Sequence, residues 1–194
     1  MLQTIHSKQP HNIKELQQRI ALFEDAAAYK KLFYLLFLPL KSFAYAILKS
    51  NQNAEEVVSD VFVEIWAKRK QLLDIVNLKM YMYISVRNAS LRLLQKLQKN
   101  KTIALSELDI TIISPDSSAI DTIISTELLQ KIDEAINNLP PQCKIIFKLA
   151  KEDKLKYKEI AALLSISVKT IDNQLATALK KIASVLKTTV EKPL

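Results

Sequence analysis

Glycine is absent from all 194 residues. Phosphate-cradling P-loops, Rossmann turns and nucleophile elbows each need backbone conformations that glycine supplies, so nucleotide-driven and hydrolase chemistries of those kinds are excluded. Cysteine occurs once, at Cys143, which leaves no internal disulfide framework and fits a reducing cytoplasm. The two histidines, His6 and His11, sit near the start of the chain, and no Cys/His cluster has metal-ligand spacing. Neither catalysis, a metal nor a cofactor is expected. Long apolar runs are missing too. The longest, "LFYLLFLPL" at Leu32–Leu40, is about half of what a bilayer span needs and is bracketed by Lys31 and Lys41. The opening "MLQTIHSKQPHN" lacks the apolar stretch and small-residue cleavage site of a signal peptide, so no direct membrane insertion is expected.

Apolar residues make up 49% of the chain and charged residues 25%, the composition of a folded soluble protein. The net charge is +8, and it is unevenly spread. Residues 1–100 carry 15 basic and 8 acidic side chains, residues 101–120 carry 1 and 3, and residues 121–194 carry 12 and 9. Two basic segments therefore flank an acidic connector, a distribution that suggests nucleic acid, with a plain solvated surface as the alternative. Arginine is scarce, at Arg19, Arg69, Arg87 and Arg92 only. Lysine meets phosphate well as a point charge and reads guanine poorly.

Apolar residues recur at three- and four-residue intervals from Asn12 onward, which predicts an all-α chain. Ile13, Leu16, Ile20 and Phe23 mark the buried face of a first helix. A second spans Ala26 to about Lys49, with Pro39 expected to kink or split it. A third is expected to be capped by Asn53, to carry Glu55 and Glu56 in its first turn and Lys68, Arg69 and Lys70 in its last, and to bury Ala54, Val57 or Val58, Val61, Phe62, Ile65 and Trp66. A fourth runs from about Leu78 to Lys99, so residues 1–99 read as a compact helical domain. In residues 100–124 periodicity fades, which points to an interdomain linker or, alternatively, a short extended segment. Residues 125–194 then hold a second small helical domain, in which Pro140 and Pro141 end one helix and open the next.

The stretch "YKEIAALLSISVKTIDNQLATALKKI", Tyr157–Ile182, breaks one amphipathic helix in two. A short helix Tyr157–Leu164, a three-residue turn and a longer helix Val168–Leu186 have the layout of a helix-turn-helix. Ala161 and Ala162 permit close packing, Ile166 plugs the angle, and Ser167 caps the second helix. Val168, Ile171, Leu175, Leu179 or Ala178, and Ile182 form the buried stripe, leaving Lys169, Thr170, Asp172, Asn173, Ala176, Thr177 and Lys180 outside. Short hydrogen-bonding side chains tipped with lysine suit the DNA major groove. On spacing alone, an ordinary helical hairpin with a solvated face stands beside this reading.

"LPPQCKIIFKLAKEDKLKYKEIAALLSISVKTIDNQLATALKKI" resembles region four of bacterial sigma factors, especially the two-domain extracytoplasmic-function (ECF) group. Separately, "AEEVVSDVFVEIWAKR" and "LKMYMYISVRNASLRLLQK" resemble two successive helices of sigma region two. The chain departs from the family pattern where Ser165 replaces a turn glycine, where Lys156 stands in place of a Ser or Thr cap, and at Ser59, Asp172 and Thr177. A left-handed Ser165 would cost about 1 kcal/mol.

The resemblance implies a sigma factor that binds core RNA polymerase and directs it to promoter DNA. Glu56, Asp60 and Glu64 would meet the polymerase as a row of carboxylates. Asn77, Tyr81, Arg87, Asn88, Arg92 and Lys96 would face the promoter element near the start site, with Lys99 beside them and with Tyr81 or Tyr83 as the place to stack an unpaired base. Lys169, Thr170, Asp172, Asn173, Thr177 and Lys180 would read the farther element. An anti-sigma partner is implied as well. A helix-turn-helix regulator acting without polymerase is the alternative function, and a helical interaction module that ignores DNA is another.

Overall fold

The computed structural model describes residues 12–99 and 123–190. All regular structure among them is helical, and the helices form two bundles. The first contains α1 (Ile13–Phe23), α2 (Ala26–Leu48), α3 (Asn51–Ala67), a 3-10 turn (Arg69–Asp74) and α4 (Leu78–Lys99). The second contains α5 (Ile123–Asn137), α6 (Pro141–Phe147), a π turn (Lys148–Glu152), α7 (Tyr157–Leu164) and α8 (Val168–Val190). The expected linker lies outside the described residues, apart from its last two positions, which begin α5.

With no glycine to end helices, ordinary residues take the left-handed conformation: Glu24 (φ 51°), Lys49 (φ 56°), Lys154 (φ 56°) and Ser165 (φ 57°). Each closes a helix or turn at a steric cost of about 1 kcal/mol. Side chains supply the starts. Asn12 accepts from the Lys14 N–H at 3.0 Å, and Asp25 from Ala27 and Ala28 at 2.9 Å each. The cap of α3 is Ser50, bonded to the Asn53 N–H at 3.3 Å. Asn53 therefore lies inside the helix, because a hydroxyl three residues upstream reaches its backbone first.

Helix α2 is long and apolar enough to cross a membrane by length and composition, yet its Leu32, Leu36, Leu40 and Phe43 are buried against α3 and α4. It runs through Pro39 without splitting. The carbonyl that loses its partner belongs to Leu35 on the exposed side, and Leu36 and Leu40 anchor the flanking turns in the core. Phe23, expected inside, is 75% exposed, since α1 ends there and turns at Glu24. Both Val57 and Val58 are buried, and Trp66 is partly buried against Tyr29, with ring centroids 4.9 Å apart. Lys68, Arg69 and Lys70 fall just beyond α3, in its cap and the 3-10 turn.

In the second bundle α5, α6 and α7 pack on α8. Its buried stripe is Ile171, Leu175, Ala178 and Ile182, whereas Val168 and Leu179 are exposed. The offset of three from Leu175 to Ala178 keeps the stripe on one face where an offset of four would rotate it away. Cys143 and Lys144 are both buried in α6. The thiol donates to the Gln174 carbonyl at 3.0 Å, and burial pushes its pKa up. Burial of the Lys144 ammonium, with Lys148 adding repulsion, brings its pKa down to about 8, and its Nζ lies 3.4 Å from the Asn137 carbonyl.

Candidate nucleic-acid interface

The helix-turn-helix forms as the spacing predicts. Ala161 is buried and Ile166 packs against the core, while Ala162 is exposed. Ser167 Oγ accepts from the Thr170 N–H at 3.0 Å and lies 2.9 Å from the Thr170 hydroxyl. Thr170 is half-buried by that capping. Lys169, Asp172, Asn173, Ala176, Thr177 and Lys180 are exposed along α8. Thr177 donates its hydroxyl to the Asn173 carbonyl at 2.9 Å, so the oxygen stays outward as an acceptor. Lys156 offers no side-chain cap to α7, but Glu159 accepts from the Lys156 backbone N–H at 2.8 Å and closes half of a capping box. At the other end Ser165 is left-handed, the conformation glycine would hold without strain.

In the first bundle α4 starts at Asn77, whose Oδ1 accepts from the Met80 N–H at 3.1 Å. Tyr81, Asn88, Arg92 and Lys96 are exposed. Steps of seven and four residues place Tyr81, Asn88 and Arg92 on one face of the helix. Arg87 is not with them. It turns toward the second bundle and donates to Ser165 Oγ at 3.1 Å. Tyr83 is fully buried with its ring 5.3 Å from that of Phe43, so it is core and cannot stack a base. The side chain of Lys99 lies outside the described residues.

Sequence reasoning missed the cavity beside Tyr81. Between α3, the 3-10 turn and α4 lies a small recess lined in part by Glu64, Lys68, Gln71, Ile75, Tyr81 and Ser85. Behind its wall Gln17, a buried amide on α1, donates to the Leu72 carbonyl at 2.5 Å and the Ile75 carbonyl at 2.7 Å and so holds two of the lining residues in place. A lone glutamine on an apolar face was the signal available in the sequence. The recess brings together a phenol, an amide, a hydroxyl and the Lys68–Glu64 ion pair, groups able to hydrogen-bond a polar partner at its mouth.

Glu56, Asp60 and Glu64 are exposed at four-residue steps on α3. Lys68 pairs with Glu64 at 2.5 Å and Lys41 with Glu55 at 2.5 Å. Val63, 66% exposed, stands beside the carboxylates and was not anticipated. No group of three or more metal-ligating side chains occurs among the described residues.

The description "Sigma-70 region 2" matches residues 37–100 and "Sigma-70, region 4" matches residues 129–182. No curated protein matches the chain in sequence. Among solved structures, the chain is similar to the sigma factor RpoE in complex with the anti-sigma factor NepR from Bartonella quintana, with a TM-score of 0.51 and 22% identity over 84% of this chain and 98% of that one. It is also similar to CnrH in complex with the cytosolic domain of CnrY, with a TM-score of 0.50 and 15% identity over 91% of this chain and 99% of that one.

Proposed function

Because this chain belongs to the sigma-70 family and carries regions 2 and 4 in the two-domain layout of the ECF group, we propose how it divides the work of a sigma factor among its surfaces. Residues 1–99 form the unit that binds core RNA polymerase and the promoter element near the start site, 100–124 the linker, and 125–194 the unit that reads the farther element. Glu56, Asp60 and Glu64 dock on the polymerase, a carboxylate row that steers a basic partner. Asn88, Arg92 and Lys96 track DNA, Tyr81 and its recess take an unstacked base, and Asn77 and Arg87 join them once released from the second bundle. Lys169, Thr170, Asp172, Asn173, Thr177 and Lys180 enter the major groove.

The similar RpoE structure holds its sigma factor with an anti-sigma factor, which supports an anti-sigma factor as the regulator of this chain. The reading assigns the chain no catalysis of its own and a cytoplasmic place of action. One observation carries it: a region-2 match and a region-4 match in the same chain, each over a bundle with polar groups on its outer face. A helix-turn-helix regulator acting alone would leave the first bundle without a purpose. The test is run-off transcription with core polymerase and a library of promoter fragments. Transcripts are expected only with both proteins present, and the double variant Asp60→Lys, Glu64→Lys should abolish them; undiminished transcripts would remove the docking face.

A further inference from the structure

The helix-turn-helix carries two carboxylates, Glu159 on α7 and Asp172 on α8. Glu159 is engaged twice. Its Oε1 accepts from Asn77 Nδ2 of the first bundle at 2.8 Å, and its Oε2 accepts from the Lys156 backbone N–H at 2.8 Å. Asp172 is exposed and has no ion pair and no hydrogen bond among the described residues.

The ordinary reasons for an acidic residue on a helix do not apply to Asp172. It is the fifth residue of α8, beyond the first turn in which the helix dipole favours an anion. The cap is already filled by Ser167, which accepts from the Thr170 N–H. Three and four residues further on stand Leu175 and Ala176, so no cation is placed to pair with it along the helix. Its companions on the outward face are Lys169, Asn173, Ala176 and Thr177, all exposed. This is the N-terminal part of the second helix of the motif, the part that meets base edges in a major groove.

A carboxylate carried into that groove is repelled by the phosphates and can only accept hydrogen bonds. The donors on the groove floor are two amino groups, N4 of cytosine and N6 of adenine. Adenine sets its N7 acceptor beside N6, against the second carboxylate oxygen. Cytosine sets a C–H beside N4 and opposes nothing. Guanine and thymine present O6 and O4, which face a carboxylate as one acceptor faces another.

We propose that Asp172 is a specificity-determining residue of the second bundle: its carboxylate accepts from the N4 amino group of one cytosine and turns away guanine and thymine at that position. The proposal rests on the reading of the outward face of α8 as the surface that enters the major groove. Selection works here by repulsion as much as by attraction. Bringing the charge to DNA costs binding on every sequence, and cytosine offsets that cost at this one position.

The test mixes the full chain, assembled with core polymerase, with randomised duplex fragments and sequences the bound fraction. Wild type should enrich cytosine at one position about ten-fold over guanine or thymine. Asp172→Ala should flatten that position alone. Asp172→Asn, whose amide can meet N6 and N7 together, should shift it toward adenine. Base frequencies that coincide at every position between wild type and Asp172→Ala overturn the assignment. Tighter binding of all sequences alike by the alanine variant, with those frequencies unchanged, would place the carboxylate at the phosphates instead. Loss of every selected position in Asp172→Ala would make the residue a support of the helix and also overturns the assignment. A wild-type fraction with no enriched position overturns the groove reading beneath it.

Discussion

Arg69 lies over the ring of Trp66, its guanidinium carbon 5.0 Å from the ring centroid, and donates to the Trp66 carbonyl at 3.0 Å. Its other nitrogen reaches Glu24 at 2.8 Å, which holds that carboxyl below its usual range. One side chain therefore joins the end of α3 to the left-handed end of α1. Arg69→Ala should destabilise the chain by about 1–2 kcal/mol in urea unfolding. Arg69→Lys should recover little, since an ammonium cannot stack and fork together. Full recovery by lysine would show that charge alone matters.

The left-handed residues provide a second prediction. Lys154 is exposed and has φ 56°. Lys154→Gly should raise stability by up to about 1 kcal/mol, the relieved strain less the added freedom of the unfolded glycine. Lys154→Ala, keeping the Cβ, should gain nothing. Equal effects from both would place the origin in the lost charge.

Lys144 makes stability depend on pH. Its pKa is about 8 in the fold against 10.5 as the ordinary value. Between those limits the unfolded chain binds the extra proton, so stability should rise as pH climbs from 8 toward 10.5 and be independent of this group below 8. The full span is on the order of 3 kcal/mol. Cys143, its pKa raised by burial, acts in the opposite sense in part of that range. The measurement is therefore the difference between wild type and Lys144→Met. That difference should shrink as pH rises; a constant one would mean that the lysine titrates normally.

On α4, Arg92 and Asn88 should separate by salt dependence. Arg92→Ala should weaken promoter binding by the polymerase complex for all sequences alike and reduce the salt slope by about one. Asn88→Ala should leave the slope unchanged and relax selectivity at one base pair by about 1–3 kcal/mol. Identical behaviour of the two would make both backbone contacts.

Helix periodicity made most of the fold legible. The limits of α7 were readable to the residue and those of α4 approximately, because Asn77 and the Ser165–Ser167 turn interrupt apolar patterns that run steadily on either side. What misled was local chemistry with two candidates. Ser50 and Asn53 can each cap a helix, and only the backbone shows which is placed to do so. Tyr83 and Tyr81 are two residues apart, and a helix puts such neighbours on different faces, one in the core and one at the recess. The contact between α4 and α7 was not legible at all. Asn77, Arg87, Glu159 and Ser165 lie about eighty positions apart in pairs, and nothing in one chain of letters couples them.

Cys143, sealed within α6 with its sulfur turned to the Gln174 carbonyl, is a native reporter of integrity. A thiol reagent reaches it only when α6 parts from α8. The rate of alkylation then counts openings of the second bundle, while movement of one bundle against the other goes unrecorded.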